Sequence, residues 1–556
     1  MWLLLLLVLL AFSPLAATGS QDQAFKAAAE NGARSEEVFR RTRKMLHAWL
    51  AYADPHTLLL PDYLPGYQRG KRPLDLYTPH NSGADNYPYL VATAFFTDRA
   101  LYHGRMPQML RNEVRYTNVV DGIPGNLQLK EGKLGPMSLF GAAEYAKDGL
   151  LAITELLGRT PWFYRMADMT AAVMEHAAVE SDFGKLPDSG AELNGDMLQT
   201  LVRLATMTGD RRFLQWAERI GDAYIREVLP RNHGLPGYTW DFSRHQGPDR
   251  MRLRDHGNEI VVGLVLLYAL ENYRQAERAA SYRAPLARML DRILESANPD
   301  GMLYNEIRCS DLEPLNRGLS DNWGYVYGAV YTFYMATGES RYRQAVLRVL
   351  KSLPRYRDYD WEGGSHDGYA DSIESALYLV AREPVPEALD WIETEMRTLI
   401  RFQQPDGTIE RWYGDGNWNR TLLLYALYKT QGCYLEEWRE GLRLGAHREG
   451  DGLYVSLQDA GPPPAGSTGT GSNARPQPPW RGKLHFDFAR HRRVLNLDRN
   501  YVRLNEWPEW FTVDENRLYR ITDALRGSQQ VRLGSELKEG LEVSAPARLA
   551  VEPVEK

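Results

Sequence analysis

Between residues 88 and 430 the apolar positions recur at helical spacing, and the segments they define are of two alternating kinds. One kind is small and almost wholly apolar, as at 142–157 and 326–336, and reads as an inner, buried helix. The other is amphipathic with many Arg and Glu, and reads as an outer, solvated one. The turns between them are legible at 156–177, 205–225 and 335–353, where Gly158, Gly209 and Gly338 follow one helix and charged residues open the next. Inner helices are expected to start near 88, 142, 194, 257, 323, 370 and 417, with outer partners near 160, 211, 283, 340 and 386. The amphipathic stretch 34–53, stopped by Pro55, supplies a further outer partner. The expected fold is mainly α, an (α/α)6 or (α/α)7 toroid of helical hairpins over 34–445. An open solenoid would need polar capping repeats at both ends, whereas the last inner segment, 421–428, is apolar.

The pattern changes after residue 450. Residues 461–479 are rich in Pro, Gly and Ser and read as a flexible loop. From Trp480 onward apolar and polar positions alternate with period two, which predicts strands and a small antiparallel β domain over 450–556.

A second periodicity lies on the first. Seven clusters of acids, amides and aromatics, at 81–89, 142–149, 191–197, 254–260, 319–328, 365–375 and 414–421, each precede an inner helix. Their spacing, roughly 45 to 65 residues, is room for one hairpin, so the clusters form an internal repeat. In a ring of alternating helices they fall on one rim. A rim of carboxylates, amides and aromatic rings is suited to binding and cutting sugar.

The cluster at 254–260 is the densest. Asp255 and Glu259 stand four apart on one helical face, with His256 and Asn258 beside them. One acid can protonate a leaving glycosidic oxygen while a second, from another hairpin such as Asp321 or Asp85, holds a water or attacks carbon. Asp255, Asp321, Asp85 and His256 are therefore the catalytic candidates. Candidates for gripping substrate come from every cluster: His80 and Tyr87; Glu192, Asn194 and Asp196; Asn258 and Glu259; Asn322, Trp323 and Tyr325. The last two clusters add His366, Asp367, Tyr369, Asp371, Glu374, Trp412, Tyr413, Asp415 and Arg420. Each also has a purely structural explanation. Acids in a first helical turn cap free N–H groups, and aromatics fill cores.

Composition narrows the partners. Net charge is −6, with no long block of one sign, so neither nucleic acid nor an anionic membrane is an expected partner. The apolar run Trp2 to Phe12, followed by Ser13, Pro14 and the small residues Ala17, Thr18 and Gly19, reads as a secretory signal peptide over 1–19, implying a secreted or periplasmic protein with no membrane anchorage after cleavage. Cys309 and Cys433 are the only cysteines, so at most one disulfide is possible and thiolate zinc is excluded. No phosphate loop, nucleophile elbow or HExxH motif occurs in its required context, and no metal or cofactor is expected.

The signal peptide, the hairpin repeat over 34–445 and the C-terminal β domain together resemble the six-hairpin glycosidase and toroid polysaccharide lyase superfamily. The resemblance is one of architecture. It implies a carbohydrate substrate, often containing uronate, and either hydrolysis or β-elimination. Hydrolysis needs two carboxylates across a cleft. Elimination needs a base such as His256, Tyr325, His366 or Tyr369 and a neutraliser such as Asn258, Asn322, Arg411 or Arg420. A glycan-binding protein without turnover is the third reading.

Overall fold

The computed structural model describes residues 15–254, 256–461 and 478–554. Asp255, most of the expected leader and most of the 461–479 loop lie outside them. Two compact units are present, one of residues 38–428 with 489–510, the other of 1–37, 429–488 and 511–556.

The larger unit is a closed ring of helical pairs. Among the described residues seven inner helices follow one another: Tyr87–Thr97, a continuous run over 139–157, Ala191–Thr208, Glu259–Tyr273, Trp323–Thr337, His366–Val380 and Asp415–Thr430. Their outer partners are the Leu15–Leu50 helix from residue 38 on, Arg105–Thr117, Pro161–Glu175, Arg211–Asp222, Glu277–Glu295, Ser340–Ser352 and Pro386–Ile400. The toroid of helical hairpins expected from the sequence, with six or seven pairs, is what forms. Every residue from Glu259 to Glu271 is buried, as an inner position requires. The outer helix Arg211–Asp222 buries only one stripe, Phe213, Leu214, Ala217, Ile220 and Gly221. Asn419 closes the ring between its last and first inner helices, donating to the carbonyl of Tyr89 at 3.0 Å and to Thr93 Oγ1 at 2.7 Å.

One end of the bore is filled by residues 489–510. The alternating pattern there predicts strands, but only the short helix Arg490–Arg493 is regular, and the segment belongs to the ring. Its apolar residues alternate because they face helix ends, not a sheet. Trp507 Nε1 donates to the Ala152 carbonyl at 2.9 Å, and Val502 exchanges hydrogen bonds with Thr332 Oγ1 at 3.0 and 3.2 Å. Arg503, 1% exposed, pairs with Glu155 at 3.0 Å and Glu506 at 3.2 Å. Glu506 also pairs with Arg382 at 2.6 Å. These partners sit towards the C-terminal ends of inner helices, away from the end carrying the acid clusters.

The smaller unit is a five-stranded antiparallel sheet in the order Ser528–Leu533, Leu518–Asp523, Ala547–Pro553, Gly452–Asp459, Leu442–Glu449, with a three-stranded sheet beside it. Leu444, Leu453, Val455, Phe486 and Val551 are among its core residues. Residues 15–37 of the long first helix belong to this unit, where Asn31 Nδ2 donates to Ala446 at 2.9 Å and Ser35 Oγ to Leu444 at 2.5 Å. Cys309 and Cys433 are both buried and free, so the disulfide left open by the sequence does not form. No helix among the described residues is long and apolar enough to cross a membrane.

Candidate functional site

At the end carrying the acid clusters, two π-helical turns hold the central acids. Pro79–Asn86 presents Asp85, and Tyr145–Leu150 presents Lys147 and Asp148. Such wide turns within helices recur at functional sites because they re-aim side chains. The first is anchored by Asp62, whose carboxylate accepts from Thr78 N (3.0 Å), Thr78 Oγ1 (2.8 Å), Asn81 Nδ2 (2.9 Å) and Ser82 N (3.2 Å). Burial pushes the Asp62 carboxyl up to about 6 against those four donors. Two glycines let the turns and the last inner helix touch. A Cβ on Gly149 would lie 3.1 Å from the Gly83 carbonyl, and one on Gly416 would lie 1.8 Å from that of Asp85.

The environments of the two acids differ in sign. Burial raises Asp85 well above the usual carboxylate range, and the nearby charges of Asp148 and Asp367 raise it further. Burial acts on Asp148 too, but Lys147 Nζ at 2.9 Å and a 2.7 Å hydrogen bond from Asn505 Nδ2 outweigh it and hold its carboxyl at about 2. Beneath them Lys147 also faces Asp196 and Glu259, each at 3.6 Å. Burial pushes Glu259 up to about 6, against Lys147. Across the bore Arg420, 5% exposed, pairs with Asp371 at 2.8 Å and with Glu374. Glu374 accepts from Tyr325 OH at 3.3 Å.

An aromatic wall adjoins Asp85. Tyr413 sits 5.9 Å from Tyr63 and 4.8 Å from Trp412 between ring centroids, and Tyr63 lies 4.8 Å from Tyr67. Asp85 is among the charges that raise the Tyr413 hydroxyl, after its burial. On the same side a cleft of about 590 Å³ is lined by Arg69, Phe402, Gln404, Glu410 and Arg411. Glu410 Oε2 lies 3.4 Å from His366 Nδ1.

No protein-family model matches the chain, and no curated protein sequence matches it. Solved structures similar in fold include the following three. The cellobiose 2-epimerase from Spirochaeta thermophila is 15% identical, covering 59% of this chain and 88% of its own, with a TM-score of 0.42. The GH76A α-1,6-mannanase from a Salegentibacter species is 12% identical, covering 56% and 95%, with a TM-score of 0.40. A D-mannose isomerase is 12% identical, covering 57% and 85%, with a TM-score of 0.43.

The rim expected from sequence divides in two. Asp85, Asp196, Glu259, Asp367, Asp371, Glu374, Tyr325, Tyr413 and Arg420 do converge around Lys147 and Asp148. Several others are committed to the fold. Tyr87 OH donates to the Met106 carbonyl at 2.8 Å and accepts from Trp162 at 2.8 Å. Asn194 donates to the carbonyls of Asp188 and Gly190, at 2.7 and 2.8 Å. Asn258 donates to Asn322 at 3.0 Å, Trp323 is core, and Asp415 accepts backbone N–H groups of Ile409, Glu410 and Arg411. Each of these side chains thus has a structural role in the positions where the fold holds it.

The remaining candidates are held in local pairs. His256 pairs with Glu192 and is 43% exposed. Asp321 lies 3.3 Å from Arg254, which also holds Glu362 at 2.7 Å. His80 packs on Phe140, and burial lowers its imidazole to about 4. Tyr369 packs on Phe402, and Trp412 on His366. Sequence reasoning missed Lys147, Asp148 and Glu144 as site residues, although their cluster was visible in the repeat. It had no signal for Asp62, Tyr63 or Asn505, which arrive from outside the repeat.

Proposed function

We propose that the protein is an exported carbohydrate-active enzyme that hydrolyses glycosidic bonds, with Asp85 as general acid and Asp148 as its ionised partner. The observation that supports this is the opposite tuning of two carboxyls on facing π turns. One keeps its proton and can give it to a leaving oxygen; the other stays charged and can activate water or attack the anomeric carbon. Tyr413, Trp412 and Tyr63 offer apolar faces against which a sugar ring can stack, and Asp367, Asp371 and Arg420 offer hydroxyl partners.

Elimination is the second reading. It is favoured by the half-exposed His256–Glu192 pair, a base with an orienting carboxylate. Tyr325 is a poor base here, since burial and the charges of Asp371 and Glu374 raise its hydroxyl well above its ordinary value.

Incubation of the purified protein with neutral and uronate-containing polysaccharides, following reducing ends and the absorbance of unsaturated uronate together, separates the readings. Hydrolysis gives reducing ends without absorbance. A parallel rise in both would replace it with elimination.

A further inference from the structure

Asp182, Glu227 and His245 come from three separate segments of the ring unit and bring one ligand atom each to within 4.8 Å of one another. Asp182 sits on the turn between Val179 and Leu186, which pair through hydrogen bonds of 3.0 and 2.8 Å. Glu227 belongs to a third π-helical turn, Ala223–Val228, at the end of an outer helix. His245 is in the loop closed by Asp241 and Gln246.

The decisive atom is Glu227 Oε2. The Glu227 residue is 1% exposed. Its Oε1 accepts from Trp240 Nε1 at 2.9 Å and faces His245 Nδ1 at 2.9 Å, while Oε2 is buried with no hydrogen-bond partner. A buried carboxylate oxygen left without a protein donor is unfavourable until a cation or a water meets it, and beside two further anionic or imidazole ligand atoms a cation is the better match. The two other ligands, Asp182 and the 40% exposed His245, stand on the solvent side and give a cation a way in.

We propose that Asp182, Glu227 and His245 form a site for one divalent transition cation, which ties two loops to the outer helix. Two carboxylate oxygens and one imidazole nitrogen suit Zn²⁺ or Mn²⁺ better than Ca²⁺ or Mg²⁺, which prefer oxygen alone. The role is structural. The loops that the cation joins are bonded to each other through Ala191 N to the Tyr238 carbonyl and Trp240 N to the Ser189 carbonyl, both 2.9 Å. They flank the start of the inner helix Ala191–Thr208, which carries Glu192 and Asp196. The inference is independent of the proposed hydrolysis.

The test is Zn²⁺ titration of the full-length, untagged, chelator-treated protein by calorimetry, with metal content and thermal midpoint measured in parallel. One equivalent should bind and raise the midpoint, and Asp182→Asn and His245→Gln should each weaken binding at least tenfold. Both replaced side chains are largely at the surface, so both variants should fold, which their metal-free midpoints verify. Glu227→Gln should abolish binding, and Co²⁺ should give visible absorption in the wild type alone. Absence of saturable binding, or binding unchanged in Asp182→Asn and His245→Gln, overturns the site.

Discussion

Asn505, on the segment 489–510, donates a 2.7 Å hydrogen bond to Asp148 across 357 residues of sequence. Its backbone is left-handed (φ 58°), a conformation that Asn and Asp tolerate better than other side chains. Asn505→Asp should therefore fold, but it places a second negative charge against Asp148 and raises that carboxyl from about 2. The expected outcome is an acid limb of the pH–rate profile shifted upward by a unit or more, on the order of the shift one close charge produces.

Arg420 is a shared cationic partner of Asp371 and Glu374. Arg420→Met keeps the volume and removes the charge, leaving two buried carboxyls to protonate or repel. A loss of about 3–5 kcal/mol is expected for breaking such a buried pair. Urea denaturation of the variant against the wild type measures it.

Arg503 and Glu155 are both fully buried and joined at 3.0 Å. Arg503→Met and Glu155→Gln should each destabilise by about 3 kcal/mol or more, since each removes one partner from a buried ion network that also holds Glu506 and Arg203. The double variant should lose less than the sum of the two, because no charge is then stranded within that pair. A double-mutant cycle from denaturation midpoints checks this, and simple additivity would contradict it.

His366 supplies a pH dependence with a definite sign. Burial alone would lower its imidazole, but Glu410, Asp415 and Asp367 raise it from 6.5 to about 8. The folded state then binds the proton more tightly than the unfolded chain. This stability is fully present below about 6.5 and is lost as pH rises through about 8, amounting to about 2 kcal/mol. Unfolding free energies across that window should fall in the wild type and be flatter in His366→Gln.

Much of the ring was legible because inner and outer helices must differ in composition, as the inner helix buried from Glu259 to Glu271 and the striped Arg211–Asp222 do. The rim was legible for the same reason, since acids at helix starts repeat with the hairpin. What sequence could not separate was which of those acids meet a ligand. Asp85 and Asp415 look alike in the repeat, yet Asp415 is spent on three backbone N–H groups while Asp85 stays in a cluster of like charges. Nor does periodicity reveal π turns, which shift Asp148 into the bore by one extra residue. Residues 489–510 alternate like strands because their apolar side chains meet helix ends, a tertiary contact with no local signature.

The most direct test of the proposed chemistry is the pH dependence of kcat/KM for Asp85→Asn and Asp148→Asn on the polysaccharide that the wild type cleaves best. Loss of the protonated donor should lower turnover by 10²-fold or more and remove the alkaline limb, as expected of a general acid. Asp148→Asn should lower it comparably and remove the acid limb. Activity within a few-fold of wild type in both variants, with unchanged limbs, would contradict the assignment of these two carboxyls as the reacting pair.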